Sequence, residues 1–269
     1  MSAAARPPSF AALDTGPPAA GGAHSVVLLV HGWGGDRHEW AGVVDGLARR
    51  HRVLAPDLPG HGATPPSPGR HTPRLVAADL AAWLTATGTG PLVAVGHSMG
   101  GHVVTALAVD HPELTRATGT VATGFGGTAT RERLAAEQAA LEREGAAWAE
   151  RFADRARGPA TPPELTERHR RLLGAAAPRV LAEYRAGMYL APDAFGLRAQ
   201  AEEFLARRRC PAFALHTDAG AAAWEASLPA HPLSARVVWP DVGHYPHEER
   251  PAEVAALIAD WCRRVPLSG

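Results

Sequence analysis

A short unbroken apolar run, Val26-Val27-Leu28-Leu29-Val30, stops at His31-Gly32, and the same device recurs along the first half of the chain. Residues 52–57 run into Leu58-Pro59-Gly60-His61-Gly62, residues 91–95 end at Gly96, and residues 117–123 close with Gly124. Runs of this length without polar alternation suit strands covered on both faces, as in a parallel sheet between layers of helices. Helical stretches fill the intervals at 36–50, 74–87 and 99–110. Strand, turn and helix alternate. The chain is therefore predicted to be α/β, with a mostly parallel central sheet flanked by helices.

Residues 128–209 break this rhythm. They are rich in Arg, Glu and Ala, with Leu134, Leu141, Trp148 and Phe152 at helical spacing. Thr161-Pro162-Pro163-Glu164 reads as a capping-box start, and Pro178 and Pro192 punctuate two more helices. Strands resume at 212–216 and 235–239, before a last amphipathic helix at 251–264. The expected organisation is a flexible lead-in at 1–22, a core of 23–127 and 210–269, and a helical lid at 128–209.

Composition removes several classes of function. Lys plus Arg and Asp plus Glu both number 27, so no net charge favours nucleic acid or an anionic membrane. Every basic side chain other than His is Arg; without Lys, no Schiff-base or lysine-base mechanism is available. Cys210 and Cys262 have neither disulfide-framework nor metal-ligand spacing. No stretch approaches about 18 apolar residues, and the N-terminus lacks the apolar core of a secretory signal. The expectation is a cytoplasmic protein with a small-molecule substrate, no metal or organic cofactor and no nucleic-acid or membrane partner. An exposed lid face could support a homodimer.

Gly96-His97-Ser98-Met99-Gly100 places a serine between a buried strand and a helix. The glycines permit a sharp turn that lifts the hydroxyl clear of the sheet, with the helix N-terminus facing any developing oxyanion. His31-Gly32-Trp33-Gly34-Gly35 can bend so that the Trp33 N–H joins that of Met99 as an oxyanion hole. Of the 14 histidines, His244 in Val242-Gly243-His244 lies between the last strand and the final helix, the best position for a base. His216 is the second choice, and His97 and His102 are expected to be structural or pocket-lining.

These segments, with Asp57-Leu58-Pro59-Gly60-His61-Gly62 and Pro240-Asp241-Val242-Gly243-His244-Tyr245-Pro246-His247-Glu248-Glu249-Arg250-Pro251, stand in the order found in α/β-hydrolase-fold enzymes. The chain resembles the lidded, esterase-like serine hydrolases of that superfamily from about residue 26 to 264. The resemblance implies Ser98 as nucleophile, His244 as general base and the Trp33 and Met99 amides as the oxyanion hole. A serine at the elbow argues against the dehalogenase and epoxide hydrolase branches, whose chemistry needs a carboxylate there.

The family usually supplies a third group, an acid a few residues past a glycine that ends the next-to-last strand. Here the region reads Leu215-His216-Thr217-Asp218-Ala219-Gly220, without that glycine and with the acid early. Asp218 is either the triad acid or a turn-forming residue; without a carboxylate a dyad would act slowly. Asp57 is expected to fix a turn and Glu249 to stabilise the last helix. Trp148, Phe152, Tyr184 and Met188, with Tyr189 and Phe195, are candidates to line an apolar substrate pocket.

The expected activity is hydrolysis of a small or medium, largely apolar carboxylic ester, thioester or lactone through an acyl-enzyme, rising with pH through about 6–7. One alternative is a cofactor-free dioxygenase of the same fold that opens a hydroxylated heteroaromatic ring. His97-Ser98, Gly32-Trp33 and Ala230-His231-Pro232 resemble such enzymes, but Thr123 stands where they carry an acid. A non-hydrolytic ligand-binding protein is the other.

Overall fold

The computed structural model describes residues 8–18, 25–125 and 128–266. Its strands are β1 (Ala12–Asp14), β2 (Val26–Val30), β3 (Arg52–Pro56), β4 (Leu92–His97), β5 (Thr115–Val121), β6 (Ala212–His216) and β7 (Ala235–Val238). They form one sheet in the order β1-β3-β2-β4-β5-β6-β7. All neighbours are parallel except β1, which runs antiparallel to β3 with Ala12 opposite Pro56.

The first helices are α1 (Ala41–Leu47), α2 (Pro73–Ala86) and α3 (Met99–Asp110). Five follow between β5 and β6: α4 (Arg131–Glu144), α5 (Ala146–Arg155), α6 (Pro163–Ala175), α7 (Pro178–Tyr189) and α8 (Arg198–Leu205). The last three are α9 (Ala219–Ala226), α10 (Pro246–Glu249) and α11 (Pro251–Arg264).

The pleat sends successive side chains of a strand to opposite faces, so the β2 run feeds two cores. Leu28 and Val30 join Val76, Leu80, Val103 and Leu107 of α2 and α3. Val27 and Leu29 join Val43, Leu47, Val254 and Ile258 of α1 and α11. Each such side chain contributes about 1.5–3 kcal/mol on burial, which explains why a strand buried on both faces shows no polar alternation. β4 is buried along its whole length. The α/β architecture expected from the apolar runs is the observed one.

Ligand sites in open parallel sheets lie beyond the carboxyl ends of the strands. Here the inserted helices pack onto that end. A Cβ on Gly34, just past β2, would meet the Leu173 side chain of α6, and one on Gly60, past β3, would meet Val180 of α7.

Three local expectations need correction. Residues 12–14, assigned to a flexible lead-in, form the edge strand β1, and Arg52 of β3 pairs with its Asp14 at 2.6 Å; positions 1–7 and 19–22 lie outside the described residues. Thr161 does not cap α6, which starts behind Pro162 with no side-chain cap. Its hydroxyl is instead engaged by Gly158 and Glu249. Pro192 starts no helix; the next one begins at Arg198.

Candidate active site

Ser98 joins β4 to α3 with φ 49° and ψ −114°. A side-chain-bearing residue in this region costs about 1–3 kcal/mol and persists only where its surroundings hold it. Ser98 N–H donates to Val121 O at 2.9 Å and Gly101 N–H donates to Ser98 O at 2.9 Å. The flanking glycines make room for the bend: a Cβ on Gly96 would lie 2.1 Å from Gly100 O, and one on Gly100 would lie 2.2 Å from Val30 O. Gly100→Ala is therefore expected to lower stability by about 3 kcal/mol, seen as a reduced urea midpoint. An unchanged midpoint would mean that the elbow has slack.

That close approach sets the first turn of α3 against the end of β2, from which the loop carrying Trp33 departs. Met99 N–H, in the first turn of α3, has no intrahelical acceptor. No acceptor for Trp33 N–H occurs among the described residues. The loop carrying Trp33 is held by its neighbours: Trp33 Nε1–H donates to Leu181 O at 2.9 Å, and Gly34 N–H and Leu58 N–H donate to His61 Nε2 and His31 Nε2.

His244 Nε2 lies 3.0 Å from Ser98 Oγ, within reach for proton transfer. Its main chain is anchored on both sides. His244 N–H donates to Ala156 O, just past α5, at 2.8 Å. His97 Nε2 lies 2.7 Å from His244 O; a carbonyl only accepts, so this nitrogen carries the hydrogen. His97 Nδ1 then faces Glu39 Oε2 at 3.3 Å, and Glu39 also accepts from Gly32 N–H at 3.1 Å.

Burial opposes ionisation of Glu39, but the adjacent His247 and His97 rings, 3.5 and 3.3 Å from Oε2, outweigh it and hold the carboxyl well below its ordinary range. Glu249, expected to serve the last helix, instead accepts from Gly243 N–H at 2.9 Å and Thr161 Oγ1–H at 2.9 Å. Burial, followed by the His97 and His247 rings, lowers the His244 pKa well below the usual histidine value.

Asp218 does not meet His244. It is exposed and caps α9, accepting from Ala221 N–H at 2.6 Å. The turn-forming reading holds, and no carboxylate bonds the His244 ring among the described residues. Thr217, one position earlier, lines a cleft beside Gly243 and His244. His216 Nε2 faces Glu225 Oε2 at 3.0 Å and not Ser98, whose hydroxyl is approached by His244. Asp57 accepts from Arg37 N–H at 2.7 Å and Ala63 N–H at 2.8 Å, so it ties turns together.

Ser98 opens onto a cavity of about 420 Å³, the size of a small-molecule site. Trp33, Trp148, Phe152, Met188 and Tyr189 line it. Tyr184, expected among them, is fully buried with its hydroxyl donating to Pro59 O at 3.1 Å, so it braces α7. Phe195 packs against His102 and Phe204 instead. The walls are not purely apolar, because Arg133, Glu137, Arg155 and Arg185 also face the cavity. Glu39, His97 and His247 have donor atoms within 4.8 Å of one another, the one such potential metal-ligand group found among the described residues. Glu39 Oε2 and both His97 nitrogens have the partners described above, whereas Glu39 Oε1 and both His247 nitrogens have none among the described residues; a Cβ on Gly32 would lie only 2.5 Å from His97 Nδ1.

A family model described as "Alpha/beta hydrolase family" matches residues 27–257. An esterase from Thermogutta terrifontis is 30% identical, with TM-score 0.79 over 95% of this chain and 93% of that one. The acetyltransferase component of an acetoin cleaving system from Cupriavidus necator is 43% identical over 35% of this chain and 25% of its own length. The magnesium-chelatase 30 kDa subunit of Rhodobacter capsulatus is 39% identical over 41% of this chain. The match spans only 39% of that subunit's length.

Proposed function

The chain belongs to the alpha/beta hydrolase family, and from that premise we propose that it is a serine hydrolase acting on carboxylic esters, thioesters or lactones. The observation that carries the reading is the 3.0 Å approach of His244 Nε2 to Ser98 Oγ at the cavity wall. The likeness to an esterase over nearly the whole chain supports it. His244 takes the Ser98 proton as Oγ attacks the carbonyl carbon, and the Trp33 and Met99 amides donate to the oxyanion. The imidazolium then protonates the leaving alcohol, thiol or ring oxygen as the tetrahedral adduct collapses to an acyl-enzyme. Water, deprotonated by His244, repeats the sequence and releases the acid.

The test combines p-nitrophenyl butyrate turnover, labelling by a fluorophosphonate probe and oxygen uptake. Ester turnover with label on Ser98 and no oxygen consumption is the expected result. Oxygen consumption with a hydroxylated heteroaromatic substrate would support the dioxygenase instead. Because burial lowers the His244 pKa, kcat/KM should stay flat through the range where an ordinary histidine titrates and fall only at lower pH. This displaces the limb expected near 6–7 for an ordinary histidine; a limb found at 6–7 would show that His244 is solvated in the free enzyme.

A further inference from the structure

We propose that the cavity selects esters whose acyl chain carries a carboxylate at its far end, read by Arg155; the proposal rests on the hydrolase reading above. Three guanidiniums face this cavity, from Arg133, Arg155 and Arg185, against the single carboxylate of Glu137. Glu137 is divided between two of them, at 3.1 Å from Arg133 Nε and 2.7 Å from Arg185 Nη2. Arg185 is further engaged by Leu134 O at 3.0 Å and Gln138 Oε1 at 3.3 Å. Arg155 has no hydrogen-bonded or ion-paired carboxylate among the described residues; its guanidinium lies 5.2 Å from the Trp148 ring centroid. The lining is thus two positive charges out of balance.

The path from the reacting carbon to that charge is apolar and continuous. Ser98 and Trp33 line the same cavity, so an acyl chain carried on Ser98 Oγ can run along the Trp33 ring. That ring meets Phe152 and Trp148 edge-on, at 5.6 and 6.3 Å between centroids. Trp148 in turn carries Arg155 on its face. Arg155 also borders the cleft that holds His244, so it stands between the base and the cavity. A planar guanidinium held on an aromatic face presents its paired N–H groups to a carboxylate. An apolar spacer ending in a carboxylate matches both the ring wall and the unbalanced charge.

The matched pair for the test is p-nitrophenyl valerate and the p-nitrophenyl monoester of glutaric acid, which share a leaving group and a five-carbon acyl chain. The wild type should have at least about tenfold higher kcat/KM on the glutarate ester, a charged hydrogen bond being worth about 10- to 100-fold. In Arg155→Met the ratio should collapse to about one, and in Arg155→Glu it should invert. Equal rates on the two esters in the wild type, or a ratio unmoved by both substitutions, would overturn the proposal.

Glutarate itself gives a readout that needs no turnover, through quenching of the fluorescence of the cavity tryptophans. Quenching lost in Arg155→Met, with both esters inert, would uphold the carboxylate site and reject the hydrolase reading. Turnover of both esters at one rate without glutarate quenching would do the reverse.

Discussion

Ser98→Ala is expected to lower kcat for p-nitrophenyl esters by at least about 10²-fold while leaving the melting temperature nearly unchanged. In a full serine triad, loss of the nucleophile costs about 10⁶ and loss of the acid alone about 10⁴. A serine–histidine pair without a bonded carboxylate therefore starts lower, and about 10² is what the hydroxyl itself still supplies. The substitution keeps a Cβ at the strained elbow and gives up only the 3.0 Å contact to His244, a loss of about 1 kcal/mol. Retained turnover would remove Ser98 from the chemistry. A collapse of the fold would show that the contact is chiefly structural.

The second large effect is steep acid unfolding, complete by about pH 4.5–5. Burial first of all lowers the His61, His102 and His247 pKa values to about 3, against about 6.5 in the unfolded chain. The neutral rings favour the folded state, so their contribution is fully present above pH 6.5 and is lost as pH falls from there toward 3. Within that window unfolding takes up about three protons, a slope of about 4 kcal/mol per pH unit. Two pH units therefore remove about 8 kcal/mol, which lies within the roughly 5–15 kcal/mol that a whole domain has.

His102→Leu is the diagnostic variant. Neither ring nitrogen of His102 has a hydrogen-bond partner among the described residues, so the change removes one titrating group without breaking a bond seen there. The slope should fall by about a third, read from urea midpoints across pH 5–7. A slope that does not change would mean that His102 is hydrated and titrates normally.

What the sequence made legible follows from how local each cause is. The strands could be read because an apolar run longer than a turn has few homes other than a covered sheet, and β2, β3, β4 and β6 lie where such runs stand. Ser98 could be read because its glycine neighbours answer a purely local demand, the room for a sharp bend. Asp218 marks the limit. An aspartate just after a strand and before a helix is equally suited to orient a base or to cap the helix, and only tertiary placement decides; here it caps α9.

Glu39 and Arg155 had no local signature, and the local one of Glu249, a carboxylate at a helix start, pointed to another partner. Each matters through a partner distant in the chain: His97 for Glu39, Gly243 and Thr161 for Glu249, and the cavity itself for Arg155. Tyr184 misled for a related reason. Helical spacing placed it on α7 but not on the side facing Ser98, and the hydroxyl bond to Pro59 turns it inward.

The hydrogen bond from His244 N–H to Ala156 O has a mechanical meaning. Together with Glu249, which grips Gly243 and Thr161 at once, it works as an interlock between cover and chemistry. If α5 and the stretch before α6 swing outward, they either drag the imidazole away from the hydroxyl or leave two main-chain donors exposed. Any displacement of α5 would therefore be felt at the reactive pair, whose main-chain anchor is one hydrogen bond away from that helix's end.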